Sequence, residues 1–114
     1  GGWFMVVDKG DNPLNFIDPS GTAMFVYSIQ RGVELGLLKA KEYTPVAYRG
    51  YQSLFPFIQV NDRGLLDVIG ACDGVVIKKN FVEYVTVPKI LNAKEAVAGV
   101  LWAAVIMETE QLKK

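Results

Sequence analysis

The stretch Phe16–Leu38, FIDPSGTAMFVYSIQRGVELGLL, decides the fold. It opens as a helix opens. Asp18 is placed to cap it, and Pro19 takes the first helical position, where a missing N–H costs nothing. Helical spacing continues to about Glu34, and Gly36 suits the C-terminal cap. Between these ends Gly21, Ala23, Met24, Phe25, Val26, Tyr27 and Ile29 put small or apolar side chains round most of the circumference. A helix on the surface of a small domain carries one apolar stripe and one wet face. A helix that is apolar nearly all round belongs to an inner layer, with neighbours on most sides.

Working outward, Trp3–Val7 is a short apolar piece, strand or extended. Asp8–Asn15, DKGDNPLN, is dense in turn formers and reads as a loop. A second helix is expected over about Lys41–Phe57. Val46, Tyr51, Leu54, Phe55 and Ile58 fit its period, Pro45 is tolerated near its start, and Pro56 should end or kink it. Val60–Gly64 is a turn. Leu65–Ile69 and Val75–Ile77, separated by GACDG, read as a small hairpin. Lys78–Leu91 is expected to be irregular, with an extended piece around Tyr84–Val87. The last helix is expected over about Ala93–Gln111, with Asn92 as N-cap and Glu95 completing a capping-box arrangement. The expectation is therefore a mainly α chain of three helices and one short β-hairpin. No internal repeat and no low-complexity segment interrupts it.

Composition bounds the chemistry. The 114 residues allow one compact unit at most, and the 51% hydrophobic content fills a core. Twelve basic and twelve acidic residues cancel, with no basic stripe for nucleic acid and no polybasic run for an anionic membrane. The longest apolar run, Ala96–Met107, has 12 residues, against roughly 20 for a membrane span. Without histidine, and with Cys72 the one cysteine, zinc sites and His-activated nucleophiles are out within this chain. Carboxylates, Lys, Tyr and Ser remain. Cys72 cannot form an internal disulfide, so the redox compartment stays open; it reads as a small buried hydrophobe. Asp8 and Asp11 fall short of the oxygen count of a calcium loop. The chain starts abruptly at GGWFMVVDKG, which suggests a piece of a larger protein.

An ordered set of motifs runs through these elements. Trp3-Phe4-Met5-Val6-Val7-Asp8 is followed by Asp11-Asn12-Pro13-Leu14-Asn15 and then by Asp18-Pro19-Ser20-Gly21-Thr22-Ala23-Met24-Phe25. Arg31–Leu38, Tyr43–Ala47, Gly70–Gly74 and Asn92–Gly99 continue the order. Together they resemble the unsaturated glucuronyl and rhamnogalacturonyl hydrolases, glycoside hydrolase families 88 and 105. Three positions depart from the commoner family pattern: Met5 stands where Gln is frequent, Ala96-Val97-Ala98 where Gly-Val-Gly is frequent, and Lys94-Glu95 where one basic residue is frequent.

The resemblance implies an (α/α)6 barrel, two concentric rings of helices, of which this chain is the C-terminal third. Inner helices of such a barrel are packed on nearly all sides, which accounts for Phe16–Leu38. The implied activity is removal of a 4,5-unsaturated uronic acid from an oligosaccharide. An Asp protonates C4, water adds at C5, and the resulting hemiketal opens. No cofactor or metal is implied. The acid/base Asp is expected upstream, so no catalytic residue is assigned within the chain.

Four residues are candidates for substrate binding. Trp3 offers a ring face and one N–H to a sugar, or closes the barrel as a core aromatic. Asn92, Lys94 and Glu95 open the last helix, whose N-terminus favours anions such as a uronate; capping with a solvated Lys94 is the alternative. The expected partner is an oligosaccharide ending in an unsaturated uronic acid, in a bacterial cytoplasm or periplasm. Exposed inner-helix faces would make the chain alone a homo-oligomer. The competing class is a non-catalytic helical module that binds carbohydrate or another protein.

Overall fold

A computed structural model describes residues 1–113. Its elements run α1 (Pro19–Glu34), α2 (Ala40–Ser53), a 3₁₀ turn at Phe55–Phe57, β1 (Ile58–Val60), β2 (Leu66–Val68), β3 (Ala71–Cys72), α3 (Phe81–Val85), β4 (Lys89–Ile90) and α4 (Lys94–Leu112). The chain is mainly helical, as part of an (α/α)6 barrel should be. Helix α1 is the hub and packs along both α2 and α4.

Small residues make that packing possible. A Cβ on Gly99 of α4 would come 3.2 Å from the Cβ of Ala23 on α1. A Cβ on Gly50 of α2 would come 2.7 Å from Val26 and 2.9 Å from the Trp3 ring. The three helices therefore approach closely and enclose Ala23, Val26, Ala47, Tyr51, Leu54, Ala103, Ile106 and Met107. The Tyr51 hydroxyl donates to Glu108 Oε1 at 2.7 Å, tying α2 to α4.

The start of α1 is built as its residues require. Asp18 caps it, accepting from the backbone N–H of Ser20 at 3.0 Å and of Gly21 at 3.2 Å. Leu35 ends the helix and Gly36 follows at φ 75°, a left-handed conformation that glycine adopts freely. The entering segment is extended and held by main-chain bonds from Met5 N to Phe16 O and from Asp18 N to Trp3 O. Asn15 folds the loop before it: its Oδ1 accepts from Val6 N, and its Nδ2 donates to the carbonyls of Val6 and Lys9.

Other expectations are corrected. The second helix stops at Ser53, and Pro56 sits in the following 3₁₀ turn, because the residue before a proline is pushed out of the α region. Leu66–Val68 pairs backwards with Ile58–Val60, not forwards with Val75–Ile77. Asn61 makes this turn, its Oδ1 accepting from the N–H groups of Arg63 and Leu65. Among the described residues Val75–Ile77 has no strand partner. A second ladder joins Ala71–Cys72 to Lys89–Ile90. The segment around Tyr84 is helical, with Asn80 as its cap, accepting from Glu83 N at 2.9 Å.

Asn92 is not the cap of α4. Ala93 holds that position, with no side-chain capping bond. Asn92 stands at φ 54°, a conformation that asparagine tolerates better than most residues. Its Oδ1 accepts from Val68 N at 2.7 Å, and its Nδ2 donates to Asp67 at 2.9 Å. The side chain is spent on locking β2 to the start of α4, so the capping box with Glu95 does not form.

Candidate active-site pocket

The beginnings of α1 and α4 lie side by side, because Gly99 lets Ala23 and the Ser20 carbonyl approach α4. Beside this junction is a pocket of about 240 Å³. Asp18 and Ser20 come from the start of α1, Glu95 from the start of α4, and Tyr84 from α3. Met5 and Met24 give apolar wall, and Cys72, Gly74 and Val75 complete it. The mixture of apolar and polar surface suits a sugar, whose faces are apolar and whose edges carry hydroxyls.

The polar groups are unequally satisfied. Asp18 Oδ1 also accepts from the Ser20 hydroxyl at 2.8 Å. Glu95 has one oxygen, Oε2, shielded from solvent and without a hydrogen-bond partner. Cys72 is buried, and its Sγ lies 3.6 Å from the Val87 carbonyl. Burial raises the thiol above its ordinary pKa and the Asp18 charge adds to this, while Lys89 pulls the other way. A thiol so shifted is protonated and a poor nucleophile near neutrality.

A second, larger depression of about 830 Å³ runs along the opposite side of α4. It is mostly apolar, walled by Ile58, Leu66, Val97, Val100 and Leu101, with Asn92 and Lys94 at its polar end.

The four residues singled out in the sequence are thus not brought together. Glu95 lines the pocket. Asn92 and Lys94 line the apolar groove. Trp3 lines neither: its ring stacks edge-on against Phe25, with centroids 5.1 Å apart, and packs over Gly50. Asp18, Ser20, Met24 and Tyr84 were not among them. Asp18 was legible as a capping residue only, since nothing in local spacing says that the start of α1 meets the start of α4. Among the described residues no group of three or more His, Cys, Asp or Glu is placed to hold a metal. No helix among them is long and apolar enough to cross a membrane.

The comparisons with known proteins agree with this architecture. The family model of Glycosyl Hydrolase Family 88 matches residues 1–111. A solved structure described as a family 105 glycoside hydrolase of C. acetobutylicum ATCC 824 superposes with a TM-score of 0.85 at 27% identity, covering 95% of this chain. The chain spans 32% of that protein's length. With the family model matched over nearly its whole extent, the chain belongs to glycosyl hydrolase family 88.

Proposed function

We infer that this chain is the C-terminal part of a hydrolase acting on oligosaccharides that end in a 4,5-unsaturated uronic acid. The observation that carries the reading is the pocket where α1 and α4 begin together. It is lined by the motif residues Asp18, Ser20 and Met24, within a chain of a glycoside hydrolase family. In this reading the reaction is hydration of the C4=C5 bond. An Asp upstream of the chain delivers a proton to C4 and activates water for C5, and the hemiketal then opens to release the sugar. The chain's own residues bind and orient. The ring sits between Met5, Met24 and Tyr84, beside the N-terminus of α4, which carries no side-chain cap and favours an anion such as the uronate. Alone, the chain lacks the acid/base and is inactive.

Two disaccharides that differ only in the C4=C5 bond provide the test. The longer gene product should consume the unsaturated one, seen as loss of its ultraviolet absorbance, and leave the saturated one intact. Cleavage of both at similar rates would point to chemistry at the anomeric carbon by two carboxylates instead. Cleavage of neither would favour a binding module.

A further inference from the structure

A third depression, of about 360 Å³, adjoins the pocket at the start of α1, and Tyr84 lines both. Its other lining residues are Val6 and Lys9 from the entering segment, and Lys78, Asn80 and Phe81 where the chain runs into α3. No carboxylate lines it. Among the described residues the ion pairs are Arg31–Glu34, Lys39–Glu42 and Lys113–Glu34, so neither Lys9 nor Lys78 has an anionic partner. The backbone at Lys9 is held in place, its N–H donating to the Val6 carbonyl and its own carbonyl accepting from Asn15 Nδ2. Lys78 stands two residues before Asn80, the cap of α3. Asn80 Oδ1 is taken by Glu83 N, which leaves the amide Nδ2 to donate, and Tyr84 adds a hydroxyl. Val6 and Phe81 supply apolar surface for a ring face. Two unpaired ammonium groups, an amide and a hydroxyl beside apolar surface suit a sugar that carries an anionic group.

We propose that this depression is the subsite for the sugar next to the one removed, and that Lys9 and Lys78 select a carboxylate-bearing sugar there. The proposal rests on the reading of the first pocket as the seat of the terminal uronic acid and adds the charge of its neighbour. With the terminal ring against Tyr84, the next ring passes that side chain and meets the two lysines. Lys9 and Lys78 are then specificity residues on the leaving-group side of the bond that is cut.

Calorimetric titration of the longer gene product with two saturated disaccharides tests this. The probes are glucuronyl-glucuronate and glucuronyl-glucose of the same linkage, which differ only at C6 of the second sugar. The wild type should bind the first about tenfold more tightly, the scale expected of two solvent-accessible ion pairs, and added salt should shrink the difference. The double variant Lys9→Gln, Lys78→Gln should lose most of the preference by weakening the acidic probe alone. Both lysines are exposed, so their replacement leaves the packing intact. Lys79→Gln removes the same charge beside the depression, whose lining does not include it, and should keep the preference. Equal affinity of the wild type for the two probes, a preference that survives the double variant, an equal loss on both probes, or the same loss in Lys79→Gln would overturn the proposal. The probes carry no double bond and no turnover is read, so failure of the unsaturated-uronide assay and failure of this subsite are separate results.

Discussion

At the scale of single residues, close approach and backbone conformation carry most of the specificity. Gly50 lies under both Val26 and the Trp3 ring, with no room for a methyl group. Gly50→Ala should therefore destabilise the chain by about 2 kcal/mol, the usual cost of overpacking, read as a lower urea midpoint at unchanged slope. Asn92 combines a left-handed backbone with two side-chain bonds between β2 and α4. Asn92→Ala loses both advantages. Asn92→Gly loses only the bonds and should be the milder variant by about 1 kcal/mol. Equal losses would show that the conformation at this position is not strained for alanine. The role of Asn92 could not be read from the sequence. An asparagine just before a helix is an ordinary capping signal, and only its distant partners Asp67 and Val68 reveal the different use. Asp18 was legible because a cap is a local device: its acceptors meet amides two and three residues away.

At the scale of elements, the helices were readable and the strands were not. Both ends of α1 are signalled by residues next to them, and its period is long enough to be unambiguous. The ladders are two and three residues long, so their pairing depends on the turn at Asn61 and on contacts across the chain rather than on alternation. Removing the cap of α1 by Asp18→Ala should cost about 1 kcal/mol, measured by thermal or urea unfolding. The contact between α2 and α4 has a pH signature. Burial, and then the hydrogen bond to Glu108 and its charge, raise the pKa of the Tyr51 phenol well above its ordinary value. Above pH about 10 the unfolded chain releases this proton while the folded chain keeps it, so the folded state binds more protons and stability falls as pH rises. Tyr51→Phe should flatten that alkaline decline. An identical slope in the variant would show that Tyr51 does not contribute to it.

At the scale of the whole molecule, the chain is a flat slab. Its extents are 44 × 38 × 21 Å and its radius of gyration is 14.9 Å, against about 13 Å for a compact chain of this length. Its accessible surface is 7304 Å², against about 6,200 Å² for a monomer of this mass. The excess of about 1,100 Å² is more than one partner contributes to a standard protein interface. Much of the exposed surface is apolar and lies on the innermost elements: Val97, Leu101, Trp102 and Val105 on α4, with Met24 and Phe25 on α1. This is the physical content of the all-round hydrophobicity visible in Phe16–Leu38 and Ala96–Met107. The sequence announces that both helices need further neighbours, and α1 alone finds them on two sides within the chain. In the proposed barrel the remaining helices supply those neighbours. In their absence a second copy is the nearest apolar surface.

Sedimentation velocity of the 114-residue chain over a range of concentrations tests this account most directly. A chain built as one part of a larger barrel should sediment as concentration-dependent oligomers above its 12.6 kDa monomer mass. A single monomeric species at that mass, unchanged up to the highest concentration, would contradict the account.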